Sequence, residues 1–216
     1  MPATKTSRQP GAPSWFSGAE AAVLLAEERR WLLERLSGLP SMPYLWVQPV
    51  PALRALPAPL RGVLLHRTAG GAYAGSLRCA LPFPLPSACL GGVVLQHPGR
   101  GAGAALIEEA ERLLMDGGRV WLCGLTPWSP YRLHWRRAEV DACSPGHWRK
   151  RLRAGGLLPA APRFLGARWR GPVAAVTGNG VGDAFRGAYV IEAEKRAEAP
   201  VAPAPLQWRR GAAQVG

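Results

Sequence analysis

Two strand-like runs that flank one helical stretch restrict the possible folds most strongly. Residues 89–95 and 119–124 are continuous apolar runs, and residues 103–115 repeat their apolar side chains at helical spacing. A strand, a helix and a strand at such short intervals are typical of a crossover between parallel neighbours. Runs without polar alternation indicate strands that are buried on both faces. The chain is therefore predicted to be an α/β protein with a mostly parallel sheet.

Further elements follow from the same patterns. Residues 18–36 form an amphipathic helix, in which Glu27 and Glu28 stand between apolar positions. Short runs bounded by Pro and Gly predict strands at 44–48, 62–66 and 76–80. Residues 116–118, Asp-Gly-Gly, are expected to close the second helix, and 148–154 to form a short basic helix. Residues 185–193 are expected to form the last strand.

Length and composition favour one soluble domain. The 216 residues are enough for a single hydrophobic core, and 48% hydrophobic residues exclude a chain that is disordered throughout. Residues 1–13 are predicted to be a flexible arm, 14–196 the domain and 197–216 a disordered tail. The sequence has no apolar run long enough to span a bilayer and no apolar leader, which predicts a cytoplasmic protein without membrane contacts.

The charge is strongly basic, at +13, but 24 of the 27 basic residues are Arg. Ten cations between residues 132 and 170 surround Trp135, Trp148 and Trp169, which is a composition typical of nucleic-acid surfaces. A solvated Arg-rich face would have the same composition. We favour the solvated face and expect Trp148 to be buried, because its short helix needs an apolar anchor.

Cysteine spacing excludes the usual zinc sites. Cys79, Cys89, Cys123 and Cys143 are 10, 34 and 20 residues apart, and no pair has the close spacing of metal-ligating thiolates. Cys89 and Cys123 lie in apolar runs and are expected to be buried thiols. No metal site is predicted.

Several segments resemble one family in its own order. Residues 81–97, Leu-Pro-Phe-Pro-Leu-Pro-Ser and then an apolar strand ending in Gln-His, resemble the "LPF, S-x-D, strand, H" stretch of class I S-adenosylmethionine-dependent methyltransferases. Residues 109–119 resemble their helix-to-strand turn. Residues 124–129, Gly-Leu-Thr-Pro-Trp-Ser, resemble the "G-F-N-P-W-S" continuation of one bacterial branch, methyltransferase type 11. The resemblance covers residues 15–196.

That resemblance implies a Rossmann-like sheet with an antiparallel last strand, helices on both faces, and S-adenosylmethionine as cofactor. It places His97 as the best candidate for a catalytic group. Trp128 and Tyr131 follow the fifth strand at the carboxyl edge, where they either line a pocket for an unidentified methyl acceptor or cover the edge of the sheet. The cofactor cleft is then expected to be lined by Gln48, Pro49, His66, Arg67, Leu77, Ala80 and Gln96.

The sequence departs from the family where the cofactor binds. The family has a glycine-rich loop after its first strand, but residues 47–51 here read Val-Gln-Pro-Val-Pro, and proline has no N–H to donate. Residues 35–107 contain no Asp and no Glu, so the carboxylates that meet the ribose hydroxyls and the methionine amine are missing. The family's acids fall on His66-Arg67, Leu77 and Cys89. Whether the protein is an enzyme is therefore open.

Two alternatives to methyl transfer follow. The first is a non-catalytic binding module on the same fold. The second is an acetyl-CoA-dependent N-acetyltransferase, because residues 100–111 resemble the pyrophosphate loop and helix of that family. Residues 99–104 also match the G-x-G-x-x-A dinucleotide pattern, but without its partner acid. Small residues that let a crossover helix start tightly are the simplest explanation of this loop.

Overall fold

Burial along the central strands follows the apolar runs of the sequence. The computed structural model describes residues 15–68, 70–129, 142–166 and 185–196. Strands β1 (Pro43–Gln48) and β4 (Leu90–Gln96) bury nearly all their side chains. The other elements are a 3-10 turn (Trp15–Ser17), α1 (Ala19–Ser37), β2 (Arg61–Arg67), β3 (Tyr73–Gly75), α2 (Arg100–Leu113), β5 (Leu114–Leu125), α3 (Pro145–Ala154), β6 (Leu157–Pro159), β7 (Arg163–Leu165) and β8 (Ala188–Lys195).

These strands form one mixed sheet in the order β3-β2-β1-β4-β5-β8-β6, and β7 also pairs with β8. Strands β2, β1, β4 and β5 are parallel, with Trp46 opposite both Leu64 and Val94. Strands β3 and β8 are antiparallel to β2 and β5. The predicted parallel neighbours, the crossover helix α2 and the antiparallel last strand are all confirmed.

Helices cover both faces of the sheet, as expected. Leu45 and Val47 of β1 pack in one core cluster with side chains of α2 and α3, including Leu106 and Trp148. Trp46, between them, packs on the other face in a cluster with α1. Because successive side chains of a strand point to opposite faces, one strand contributes to both cores.

Helix α1 carries one acid on its buried face. Leu24, Glu28, Leu32 and Leu36 follow one another at intervals of four residues, which places them on one side of the helix. All four are buried, and Glu28 is 0% exposed. The expectation that Glu28 stands between apolar positions is wrong, because it occupies one of them.

Several predicted boundaries differ from the structure. Residues 76–80 are not a strand: Cys79 makes only an isolated bridge to Tyr73, and the edge strand β3 precedes them. Helix α2 begins three residues earlier than predicted and ends at Leu113, so Asp116 and the glycines after it lie within β5. Three-residue strands β6 and β7 were not predicted, because they are too short to show a periodicity.

The short basic helix and the last strand are both present, but each begins three residues away from its predicted start. Helix α3 ends at Ala154 before Gly155, and begins at Pro145 with the Ser144 side chain accepting a hydrogen bond from the His147 N–H. The last strand starts at Ala188 rather than residue 185. The arm 1–13 and the tail 197–216 lie outside the described residues, so the domain boundaries stay predictions.

An ion pair between the buried Glu109 and the partly exposed Arg112 holds the proline-rich segment before β4. Glu109 of α2 accepts hydrogen bonds from the Phe83 N–H at 2.7 Å and from Arg112 at 2.7 Å. Arg112 also donates to the carbonyl oxygens of Phe83 and Leu85. The Arg112 guanidinium is the main reason that the pKa of Glu109 lies below its usual range. The segment therefore has a structural role in joining α2 to the sheet.

No helix in the described ranges is both long and apolar enough to cross a membrane. Within the same ranges no group of three or more His, Cys, Asp and Glu side chains is arranged to hold a metal ion. All four cysteines are free, but only Cys123 and Cys143 are buried. The expectation of a buried thiol is confirmed for Cys123, but it is wrong for Cys89, which is partly exposed.

Candidate functional site

The carboxyl edge of the sheet is formed by Gln48, Arg67, Gln96 and Leu125, the last residues of the four parallel strands, and by the residues that follow them. In open α/β sheets this is the edge at which ligands bind. Gln48 pairs in register with His66, and Val47 pairs with Leu95. The structure therefore brings Gln48, Pro49, His66, Arg67, Gln96 and His97 to the same edge.

A chain of buried hydrogen bonds crosses this edge beneath α1. The Trp46 Nε1–H donates to Gln96 Oε1 at 2.7 Å, and Gln96 Nε2 donates to Glu28 Oε2 at 3.0 Å. His97 Nε2 lies 3.1 Å from Glu28 Oε2 and 3.0 Å from Oε1. The Glu28 carboxylate therefore contacts two consecutive residues: Gln96, the last residue of β4, and His97, which follows it.

Sequence reasoning missed Glu28, although a signal was present. An acid at the middle of a four-residue apolar repeat is on the buried side of its helix, and a buried carboxylate needs donors. Its partner could not be identified from sequence, because His97 is 69 residues away along the chain.

Backbone conformation explains how two consecutive residues reach one carboxylate. Strand alternation would place the side chains of Gln96 and His97 on opposite faces of the sheet. His97 has φ 48°, in the left-handed region that non-glycine residues rarely adopt, so its ring turns to the α1 face. Its N–H still donates to the Cys123 carbonyl oxygen at 3.0 Å. Strained conformations of this kind persist where surrounding contacts hold them, and they concentrate at functional sites.

His97 is covered on its ring face. Its side chain is only 4% exposed, and the Phe16 ring lies on it with centroids 4.7 Å apart and an interplanar angle of 31°. Nδ1 of His97 is buried and has no hydrogen-bond partner. An unsatisfied buried polar group costs about 1–3 kcal/mol. His97 lies where the sequence predicts a catalytic group, but it is closed off from solvent.

The loop after β1 is held by Gln48. The Gln48 amide donates to the Leu53 carbonyl oxygen at 2.8 Å and accepts from the Leu53 N–H at 3.0 Å. Leu53, Leu56 and Leu60 of this loop pack against the α1-side core. Gln48 is therefore engaged within the protein, and Pro49 beside it offers no donor.

Of the other predicted cleft residues, His66 and Arg67 share this edge with Gln48, whereas Leu77 and Ala80 lie in the segment after β3. His66 is half-buried and Arg67 is exposed. Leu77 packs against the core on the α2 side, and Ala80 is exposed in the segment after β3. Trp128 is 60% exposed beyond the end of β5, and Tyr131 lies outside the described residues.

Helix packing explains one glycine of the Gly-rich loop. A Cβ on Gly103 would lie 2.2 Å from the Trp148 ring, so α2 and α3 can meet there only across a glycine. A Cβ on Gly101 would meet nothing within 4 Å. The simplest explanation of this loop was that small residues let the crossover helix start tightly. The structure agrees with that explanation at Gly103.

The basic segment is only partly described. Trp148 is 3% exposed and belongs to the α2-side core, which confirms its predicted role as the anchor of α3. Lys150, Arg151 and Arg153 are exposed around that helix. The cations and aromatic residues that lie outside the described residues are Arg132, Trp135, Arg136, Arg137, Arg168, Trp169 and Arg170.

Burial makes Cys123 an unreactive neighbour of this site. The thiol is fully enclosed at the end of β5, and burial, with the negative charge of Glu28 as a second cause, raises its pKa well above the usual value. A thiol that resists ionisation is a poor nucleophile.

The carboxyl edge does not fit S-adenosylmethionine well. That cofactor presents an ammonium, a sulfonium and two ribose hydroxyls, which need carboxylates or other acceptors around them. Among the described residues at the ends of β1, β2 and β4, the nearest carboxylate is Glu28, and it is fully buried and hydrogen-bonded to Gln96 and His97. Gln48 is likewise engaged.

No protein-family model matches this chain. No curated protein sequence matches it either. Solved structures do. An S-adenosylmethionine-dependent methyltransferase from Archaeoglobus fulgidus superposes with a TM-score of 0.53 at 13% identity, over 83% of this chain and 96% of its own.

Two further structures agree. A chain from the complex of the Trm112 methyltransferase activator with a candidate methyltransferase of Haloferax volcanii has a TM-score of 0.52 at 15% identity, over 85% of this chain and 97% of that one. A candidate methyltransferase from Bacillus halodurans has a TM-score of 0.50 at 14% identity, over 77% and 98%. Identities this low establish a fold and no chemistry. The chain has the class I S-adenosylmethionine-dependent methyltransferase fold.

Proposed function

We propose that this protein is a methyltransferase-like binding module: it keeps the fold and its carboxyl-edge ligand position, but binds an anionic ligand there and transfers no methyl group. One observation carries this proposal. Residues 35–107, which include β1, β2, β4 and the loops between them, contain six arginines and two histidines and no carboxylate. Of these cations, Arg67 lies exposed at the carboxyl edge, at the end of β2, and no carboxylate of this segment offsets its charge.

The sign of that charge decides which ligand is favoured. Arg67 and His66 end β2, directly beside the engaged Gln48. A sulfonium or an ammonium would meet the Arg67 guanidinium there, without a free carboxylate to offset the repulsion. A phosphate or carboxylate ligand would gain charge-assisted hydrogen bonds from Arg67.

A second candidate is S-adenosylmethionine-dependent methyl transfer itself, with an unidentified acceptor. Glu28 favours methyl transfer, because the ends of the parallel strands carry no carboxylate of their own and α1 brings one to the end of β4. Acetyl-CoA-dependent acetyl transfer has less support, since its loop resemblance includes Gly103, whose lack of a side chain serves the contact with Trp148. Nucleic-acid binding by the basic segment is not favoured, because Trp148 is buried.

Isothermal titration calorimetry with four ligands tests these functions. We expect inorganic pyrophosphate to bind and S-adenosylmethionine and S-adenosylhomocysteine to bind more weakly than 100 μM, a limit near 5.5 kcal/mol. Micromolar binding of S-adenosylmethionine would instead support the enzyme. Micromolar binding of acetyl-CoA but not pyrophosphate would support the acetyltransferase.

A matched pair of variants locates the anion. Arg67→Ala removes the cation at the carboxyl edge, whereas Arg61→Ala removes an exposed cation at the opposite end of the same strand. We expect Arg67→Ala to weaken pyrophosphate binding about tenfold, because a charge-assisted hydrogen bond is lost. Equal effects of the two variants would contradict a site at this edge.

A further inference from the structure

Arg67 and Tyr73 lie side by side at the carboxyl edge, on the antiparallel strands β2 and β3. The two residues are directly opposite each other in register. The next pair along, Thr68 and Ala72, carries a ladder hydrogen bond of 2.8 Å. Because hydrogen-bonded and non-hydrogen-bonded pairs alternate, Arg67 and Tyr73 form a non-hydrogen-bonded pair, in which side chains on the same face approach most closely.

The Tyr73 ring is held within the protein, but its hydroxyl is not. Tyr73 is 2% exposed, and its ring packs edge-on to Phe83 with centroids 5.0 Å apart. No hydrogen bond joins the hydroxyl to another residue in the described part of the chain. The unpaired polar atoms that are fully enclosed there belong to other residues. The Tyr73 hydroxyl is therefore an unused donor that reaches the surface.

Arg67 supplies the charge of this pair. Burial raises the pKa of Tyr73 and the Arg67 guanidinium opposes that rise, so the cation and the hydroxyl lie close enough to interact. Arg67 is exposed and has no ion-pair partner among the described residues. Cys79, which bridges to Tyr73 on its other side, stays a neutral thiol because burial raises its pKa. The pair therefore presents one cation and one neutral donor.

We propose that Arg67 and Tyr73 together bind a phosphoryl group, with the Tyr73 hydroxyl donating to one of its oxygens. This inference rests on the proposed anion-binding function and names its ligand class. A guanidinium fork pairs with two oxygens at once, which occupies both oxygens of a carboxylate. A terminal phosphoryl group has a third oxygen, which can accept from the hydroxyl. The ligand class is therefore one with a terminal phosphoryl group rather than a carboxylic acid.

Calorimetry with pyrophosphate and with malonate, a dicarboxylate, tests this assignment. Tyr73→Phe deletes one oxygen and keeps the ring against Phe83. We expect it to weaken pyrophosphate binding about tenfold, because a hydrogen bond to a charged group is lost. The weaker binding of malonate should stay unchanged. The variant does not alter the charge of the protein, so a change in the ratio of the two affinities reports on the hydroxyl alone.

Tyr44→Phe is the matched control. It makes the same change at a buried tyrosine near the opposite end of the sheet, whose hydroxyl lies 3.5 Å from the Pro40 carbonyl oxygen. It should leave both affinities unchanged. Thermal unfolding without ligand is the second measurement. Because the Tyr73 hydroxyl has no partner in the described protein, Tyr73→Phe should lower Tm by less than about 2 °C. A larger loss would mean that the fold itself uses the hydroxyl, and would overturn the proposal.

The outcomes distinguish this inference from the function on which it rests. Absence of pyrophosphate binding to the wild type would overturn both. Pyrophosphate binding that Arg67→Ala weakens and Tyr73→Phe does not would keep the anion site and overturn the role of Tyr73. Equal weakening of pyrophosphate and malonate by Tyr73→Phe would overturn the phosphoryl group as the ligand class.

Discussion

Nε2 of His97 lies 3.0 Å from a carboxylate oxygen of Glu28, which joins the end of a central strand to the first helix across 69 residues of sequence. Both side chains are almost fully enclosed. Gln96 donates to the same carboxylate, so one acid holds two consecutive residues at the edge where ligands bind. The position of α1 on the sheet therefore depends on a polar contact as well as on apolar packing.

Replacing Glu28 by Gln should destabilise the protein. The amide keeps one acceptor, but its NH2 group then faces a donor of Gln96 or His97. We expect a loss of about 2 kcal/mol, which corresponds to roughly 4–8 °C in Tm for a chain of this size. Thermal unfolding followed by circular dichroism measures it. Glu34→Gln, at an exposed position of the same helix, is the control and should change stability by less than about 0.5 kcal/mol.

Alanine at two glycines of α2 should have opposite effects. Gly101→Ala adds a methyl group in open space and should stabilise the helix by about 0.5 kcal/mol. Gly103→Ala places a methyl group against the Trp148 ring and should cost about 1–3 kcal/mol. Chemical denaturation compares the two variants. A stabilising Gly103→Ala would mean that packing against α3 does not require this glycine.

Ala88→Gly should stabilise the protein. Ala88 has φ 52°, which costs an alanine more than a glycine, while its N–H donates to the Arg112 carbonyl oxygen. Glycine also makes the unfolded chain more flexible, which offsets part of the relief of backbone strain. We expect a net increase of about 0.5 kcal/mol in the free energy of unfolding. Urea denaturation measures this gain. Ala80→Gly, at another exposed position of the same segment, is the control and should give no gain.

Acid should weaken the fastening at Glu109. The pKa of the Glu109 carboxyl is lowered in the folded protein, mainly by the hydrogen bond from Arg112. Its contribution to the free energy of unfolding is therefore fully present above the unfolded-state pKa of about 4.3. That contribution is lost as pH falls toward the lower pKa of the folded protein. The wild type should lose stability over that window more steeply than Glu109→Gln. At pH 7 the variant should be less stable by about 2 kcal/mol. Urea denaturation at several pH values from 7 to 3 tests both statements; parallel pH profiles would contradict them.

The sequence by itself determined the fold class, because the features that specify it are local. Continuous apolar runs and a helical repeat predicted the parallel strands around β4 and the crossover α2. The absence of carboxylates from residues 35–107 is likewise a property of the sequence alone. The resemblance to class I methyltransferases, which rested on the order of weak segments, agrees with the fold found.

Only the tertiary structure decided which polar groups meet at the carboxyl edge. The contact of Glu28 with His97 depends on how α1 lies across the sheet and on the left-handed turn after Gln96, neither of which leaves a periodic signal. The antiparallel strands β3, β6 and β7 are three residues long and exist only through their neighbours. Local patterns determine which residues are buried, whereas long-range packing determines which buried donor meets which buried acceptor.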